Sequence, residues 1–257
     1  MALRASLGLR NFLQSGGSLK QALQNSRIQV FSGAQPAAAD DAASGTLLLN
    51  FTAGGDAHTP ETPASGTVTL NTGAAGSVDT VSVNGIDILG DAVDYAGSLA
   101  LTATAVALQI NRNPKNALFS ASASGSIVTI RARPGLGALP NGWVVLATLT
   151  TLTASHTNMA AGVDAANGLG FDVAANGVVA KRADETWQGT GLANGTAGWF
   201  RMLCSAGDAG AADTNGDYIR LDGAIAASGG QLNMSATQIA AGAVQTLSAF
   251  ALTEPAQ

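Results

Sequence analysis

Apolar and small polar residues alternate at period two over residues 66–70 (GTVTL) and 80–84 (TVSVN), the pattern of strands with one face buried. Asn84-Gly85 supplies the left-handed backbone of a two-residue hairpin turn, so the second strand is expected to fold back on Ile86-Asp-Ile-Leu89. Ser98 offers an N-cap before LALTATAVALQIN, where Leu99, Ala103, Val106 and Ile110 recur at helical spacing and Asn113-Pro114 stops the helix. Two further strands are expected at 126–131 and 142–147, joined by the Pro/Gly-rich link 134–141. One helix can cover one face of such a sheet, which makes this stretch a small α+β module.

The segments on either side read differently. Residues 27–31 and 46–51 are strand candidates around an Ala/Asp/Gly-rich link, and further short candidates follow at 170–173, 196–203, 218–221, 231–234 and 245–253. Short strands with frequent turn signals predict a β-sandwich. Neither half alone has enough apolar strand to close a two-layer core, so the halves are expected to pair across the module. The predicted class is therefore mainly β: a helical basic arm over 1–26, a discontinuous β-sandwich domain over 27–58 and 164–257, and an inserted α+β module over 59–163. Gly54-Gly55-Asp56 and residues 162–167 are the junctions, exposed tips of the kind that tolerate insertion.

Charge changes this picture more than length does. Only 11% of the residues are charged, under half the usual share of about 25%. Either partners bury much of the surface, or a GC-rich genome has favoured alanine and glycine. A net charge of −5 argues against broad nucleic-acid binding, which needs a basic stripe. The charge is uneven, however, since Arg4, Arg10, Lys20 and Arg27 all precede the first acid, Asp40. With Leu3, Leu7, Phe12, Leu13, Leu19 and Leu23 they form one or two short amphipathic helices broken at Gly16-Gly17. This arm either docks on an acidic partner or packs on its own β-domain; an acid-free transit peptide is a third reading. No secretory core and no run approaching about 18 apolar residues is present, so no membrane partner is expected.

Candidate chemistry is sparse. The single Cys204 follows an apolar run and reads as a buried thiol. His58 and His156 sit in polar links, where two imidazoles without a third ligand make no metal site and no triad. Asp213-Thr-Asn215-Gly-Asp217 starts like a calcium loop but has Tyr218 at the required glycine and Ala224 at the required glutamate. A hairpin turn at Asn215-Gly216 explains it more simply. The glycine runs 162–170 and 189–195 lack a phosphate-binding lysine. The acids Asp184-Glu185, Asp87, Asp91 and Asp94 have no spacing that demands catalysis. No cofactor, metal or enzymatic activity is expected. Trp199 and Phe200 should point to opposite faces of a strand, one into the core and the other free to anchor a partner. Trp187 is the best candidate for an exposed contact, with the alternative that it covers a sandwich edge. The candidate partner-binding residues are thus Arg4, Arg10, Lys20, Arg27 and Trp187.

The strings RIQVFSGAQPAAADDAASGTLL, GTAGWFRMLCSAGD and YIRLDGAIAASGGQLNMSATQIAAGAVQTLSAFALTEP resemble a family of small tailed-bacteriophage virion proteins. The middle strings VDTVSVNGIDILG, SLALTATAVALQIN, GSIVTIRARPGLGALPNGWVV and NMAAGVD are similar to a module of phage tail and fibre components. The resemblance implies a non-enzymatic virion protein made in the host bacterial cytoplasm, homo-oligomeric, with portal, tail or capsid subunits as partners. A collar, fibre-anchor, fibre-type or other tail accessory role at the tail or head–tail junction is expected. Capsid decoration and a host-receptor or carbohydrate-binding module are the alternatives.

Overall fold

The computed structural model describes residues 3–253. It is mainly β, with 42% strand and 11% helix. Two compact units are present: a flanking unit up to Gln14, over Ser18–Pro60 and from Ala165 onward, and an inserted unit over Ser15–Gly17 and Glu61–Asp164. The expected breaks lay after residues 58 and 163. In the flanking unit Thr59 and Ala166 exchange both backbone hydrogen bonds, and in the inserted unit Thr62 and Val163 do the same.

The flanking unit begins with β1 (Arg4–Ala5), α1 (Leu7–Gln14), α2 (Leu19–Leu23), β2 (Arg27–Ser32) and β3 (Leu47–Ala53). The inserted unit contributes β4 (Ser65–Thr72), β5 (Ser77–Val83), β6 (Ile86–Asp87), β7 (Val93–Asp94), α3 (Leu99–Arg112), β8 (Phe119–Ser124), β9 (Ile127–Ala132), β10 (Val145–Thr150) and β11 (Thr153–Ala160). The flanking unit resumes with β12 (Val178–Ala180), β13 (Trp187–Thr190), β14 (Gly195–Leu203), β15 (Arg220–Ala226), β16 (Leu232–Asn233), β17 (Gln238–Ile239), β18 (Val244–Leu247) and β19 (Ala251–Thr253).

Among the described residues, nine strands of the flanking unit form one sheet in the order β1-β15-β14-β2-β3-β13-β18, with β16 beside β15 and β17 beside β14. β2 and β3 precede the insertion and pair with β14 and β13 beyond it. Alternation along the strands sends Ile28, Val30, Phe51, Phe200, Met202 and Leu221 to one face. That face shares a core with Leu9, Phe12 and Leu23 of the helices and with Val179 and Leu252 of the separate β12-β19 pair, so the layering is sandwich-like.

The N-terminal arm is part of this core rather than an appendage. Ser6 caps α1 by accepting from the Leu9 N–H at 3.1 Å, and the Asp40 carboxylate accepts from the Leu7 N–H at 2.9 Å. α1 has no acid in its own first turn, so Asp40 supplies the negative charge that the helix N-terminus favours. The break at Gly16 takes a φ of +88°, which glycine adopts without strain.

The inserted unit has two four-stranded sheets, β10-β5-β6 with β7 beside β5, and β11-β4-β9-β8. Val68, Val81, Val83, Val128, Ile130 and Val145 from both sheets meet Ala103, Val106 and Ile110 of α3 in one core. The hairpin at Asn84-Gly85 has φ of +51° and +80°, and Val83 stands opposite Ile86, as the Asn-Gly signal requires. Ser98 accepts from the Leu101 N–H at 3.1 Å, and α3 ends at Arg112, just before Asn113-Pro114.

Two strands of this unit, β8 (FSASAS) and β11 (TASHTNMA), carry too few apolar residues to be read from alternation. Their outward side chains form a cross-strand row, Thr157-Thr67-Thr129-Ser122, in which hydroxyls replace the expected polar charges. His156, expected in a link, is the strand residue opposite Val68 in β11. The outer edge of β8 is closed by asparagines: Asn111 bonds both the N–H and the C=O of Ala121, at 2.8 and 2.7 Å. Asn116 does the same for Phe119, at 3.1 and 3.0 Å. Each carboxamide stands where a neighbouring strand would otherwise pair.

Candidate functional site

The second face of the nine-stranded sheet carries charge. In one cross-strand row Arg4 stands opposite Asp222, Asp222 opposite Arg201, Arg201 opposite Gln29 and Gln29 opposite Asn50. The adjacent row runs Arg220, Leu203, Arg27. Arg201 grips Asp222 with two bonds of 2.8 and 2.7 Å, and both side chains are fully buried. Burial pushes the Asp222 carboxyl above its ordinary range, outweighing the Arg201 bonds that hold it down. Arg220 grips Asp208 at 2.7 and 2.8 Å; burial opposes its charge, but Asp208 overcomes this and raises its pKa.

These arginines hold two loops over half of the face. Arg201 donates to the Asp41 carbonyl at 3.0 Å and Arg220 to the Ala211 carbonyl at 2.7 Å. The loops bond each other through Asp213 N–H to Asp40 C=O at 2.7 Å and Ala43 N–H to Gly210 C=O at 3.0 Å. Trp199 lies beneath them, stacked on Phe31 at 4.6 Å between centroids and donating Nε1–H to the Ser44 carbonyl. The expectation that Trp199 or Phe200 anchors a partner is therefore corrected, since both are fully buried.

Over β2, β3 and β13 the same face is open and forms a cavity of about 480 Å³. Its lining includes Arg27, Asn50, Thr52 and Thr190 from the strands, and Asp56 and His58 from the segment after β3. Period-two alternation turns Arg27, Asn50, Thr52 and Thr190 away from the apolar core, while Ile28, Phe51 and Trp187 face into it. The Arg27 guanidinium reaches the Asp208 carbonyl at 3.0 Å and His58 Nδ1 at 3.2 Å. His58 Nε2 lies 3.0 Å from the Asn25 carbonyl, which makes Nε2 the protonated nitrogen and Nδ1 the acceptor for Arg27. Burial lowers the His58 pKa below its usual value; the bond to Asn25 opposes this and the Arg27 charge adds to it.

Burial also lowers the Arg27 pKa, and Asp208 and Cys204 offset it only in part. No carboxylate oxygen of the described residues bonds to this guanidinium, unlike those of Arg201 and Arg220. Thr52 is buried and donates its hydroxyl to the Asp56 carbonyl at 2.7 Å. The Asn50 Oδ1 atom is buried with no hydrogen-bond partner. The cavity thus presents one under-compensated cation and several acceptors.

The other residues singled out in the sequence fall elsewhere. Arg4 bonds the Pro36 carbonyl and is half-buried. Arg10 is exposed on α1, and Lys20 is half-buried on α2. Trp187, expected as an exposed contact, is fully buried: it packs on Phe171 and Phe250, and its Nε1–H donates to Glu185 at 2.6 Å. It lies next to Gln188 and Gly189 in a strand too short to show its period, so the inward direction of the indole was hidden in the sequence. Cys204 is buried.

The calcium-like string does not fold as a two-residue hairpin. Asp213 accepts from the N–H groups of Asn215, Gly216, Asp217 and Tyr218 at 2.8–3.2 Å, winding the loop around its own carboxylate. Burial would raise this carboxyl, and the four bonds together hold it below its usual range. A larger cavity of about 870 Å³ lies along residues 231–236 and 245–251, but Lys181 at its side is tied to the Arg182 and Glu185 carbonyls and the Trp187 ring.

Among the described residues no three His, Cys, Asp or Glu side chains gather as a metal centre, and no helix is long and apolar enough to cross a membrane. No family model matches the chain, and neither a curated protein nor a solved structure shows significant similarity to it.

Proposed function

We propose that the protein is a non-enzymatic structural component of a tailed-phage virion, acting at the tail or head–tail junction as a collar, fibre-anchor or fibre-type subunit. Its partners are further copies of itself and portal, tail or capsid subunits. The virion assignment rests on the sequence resemblance; the assembly role is carried by one observation on α3. This helix buries Ala103, Val106 and Ile110 on one side and leaves Leu101 and Leu108 exposed, at 57% and 46%, on the other. Seven residues apart, the two leucines share a face, and Thr104 between them adds no charge. A helix apolar on both sides is suited to a protein contact. The buried ion pairs of the flanking unit support the same reading, because they lock loops into a fixed surface on which repeated contacts can be built.

The test is quantitative mass spectrometry of purified virions, with copy number expressed relative to portal and major capsid protein. A small multiple of portal supports the tail or junction. A ratio near that of the capsid protein makes the chain a decoration, and absence from the particle overturns the proposal.

A further inference from the structure

We propose that the cavity floored by Arg27 binds a hydroxylated carboxylate of the acidic-monosaccharide class. The inference concerns the flanking unit alone and does not depend on the virion reading. The cavity volume of about 480 Å³ lies within the range of small-molecule sites, roughly 300–1,000 Å³.

The polar groups prescribe the ligand. Arginine has about five N–H donors in a planar fork, and Arg27 commits its contacts to the Asp208 carbonyl and His58 Nδ1, both neutral acceptors. A bound carboxylate would give this half-buried guanidinium the directly bonded anion that Arg201 and Arg220 have. The remaining groups ask for donors. The Asp56 carboxylate, exposed at the rim, only accepts hydrogen bonds, and Thr190 on the same lining is exposed with a hydroxyl that can accept as well. The ligand is therefore anionic at one end and carries hydroxyl donors around the rest. An inorganic anion or a protein carboxylate would satisfy Arg27 and bring no hydroxyl donor for Asp56. A neutral sugar would do the reverse.

Titration calorimetry of the full chain, with glucuronate, galacturonate, glucose, acetate and phosphate as probes, tests the assignment. Saturable binding of a uronate, with glucose, acetate and phosphate each weaker by about tenfold or more, is the expected result. Arg27→Lys, which removes the planar fork, is expected to weaken uronate binding by about tenfold. Because Arg27 also supports local structure, rim variants provide a second test that does not touch it. Leu192 lines the cavity and is 57% exposed. Leu192→Glu should weaken and Leu192→Lys strengthen uronate binding by about threefold each at low salt. Tighter binding of a uronate-containing oligosaccharide than of the free acid would identify an envelope polymer as the source, and equal binding a free sugar acid; both uphold the class. No uronate binding, equal binding of glucose, phosphate preferred over uronate, or rim variants without opposite effects would each overturn the proposal.

Discussion

Replacing Asp222 by Asn in the Arg201–Asp222 pair should destabilise the protein more than replacing both partners, by Leu and Met. Two bonds of 2.8 and 2.7 Å join side chains with no exposed surface, so the single variant strands a guanidinium in the interior. Breaking one side of such a pair costs about 3–5 kcal/mol. The double variant Arg201→Met with Asp222→Leu removes both charges and their desolvation cost, which already outweighs the Arg201 bonds at the Asp222 carboxyl. What the double variant loses is the Arg201 bond to the Asp41 carbonyl, about 1–2 kcal/mol with the desolvation of that oxygen, and the guanidinium over the Trp199 ring at 5.4 Å, about 0.5–1 kcal/mol. Its net cost should be about 2 kcal/mol, below that of Asp222→Asn alone. Urea unfolding followed by near-ultraviolet circular dichroism, with equal slopes for all variants, measures this. A double variant that loses as much as Asp222→Asn alone, or more, would refute the view that the pair fixes geometry rather than supplying net stability.

Further outcomes follow from other parts of the molecule. Leu101→Gln with Leu108→Gln should leave the unfolding free energy within about 0.5 kcal/mol of the parent while reducing incorporation into particles; unchanged incorporation would exclude this face as a contact. The lowered His58 pKa means that below about pH 6.5 the unfolded chain takes up a proton that the folded chain refuses, so stability present above that pH falls towards the folded pKa, by at most about 1.4 kcal/mol per pH unit. His58→Asn should flatten that slope in denaturant titrations from pH 7 to 5, and an unchanged slope would count against it. Deleting residues 3–24 removes Leu9, Phe12 and Leu23 from the core and should abolish the near-ultraviolet signal, whereas a dispensable docking arm would leave it intact. Excising residues 61–164 with a short glycine link should leave a cooperatively unfolding flanking unit; a molten product would show that the two halves need the insert.

What the sequence made legible is what local pattern encodes. The Asn84-Gly85 turn, the Ser98 cap and the alternation in β2, β4, β5 and β14 each draw on neighbours within a few residues. β8 and β11 stayed hidden because their outer faces use serine and threonine in place of charge, and because the inner face of β8 has only alanines beyond Phe119. The basic residues before Asp40 were visible as a cluster, but not their fates. Arg4 and Arg27 are half-buried with partners at Pro36, His58 and Asp208, contacts that span up to 181 positions and leave no periodic trace. The cavity was hidden for the same reason: Asn50, Thr52 and Thr190 adjoin it only once β2, β3 and β13 have found their register. The one clue was that Arg27 opens a strand whose alternate residues, Ile28 and Val30, are apolar, which already turns the guanidinium to the opposite face.

The paired backbone bridges at Thr59–Ala166 and Thr62–Val163 bear on how the chain reaches its native state during synthesis. Each unit has its own clasp, so residues 61–164 can close on themselves while β13, β14 and β15 are still to be translated. Once that unit is folded, the gap between β3 and β13 is no longer a long flexible loop but a short tether held at its base, and the entropy of joining the two halves falls accordingly. The order of synthesis thereby turns a distant pairing into a nearly local one. By the same logic the segment can be exchanged by recombination as a cassette whose replacement needs only to begin and end at adjacent positions, leaving the strands before and after it in the sequence unaltered.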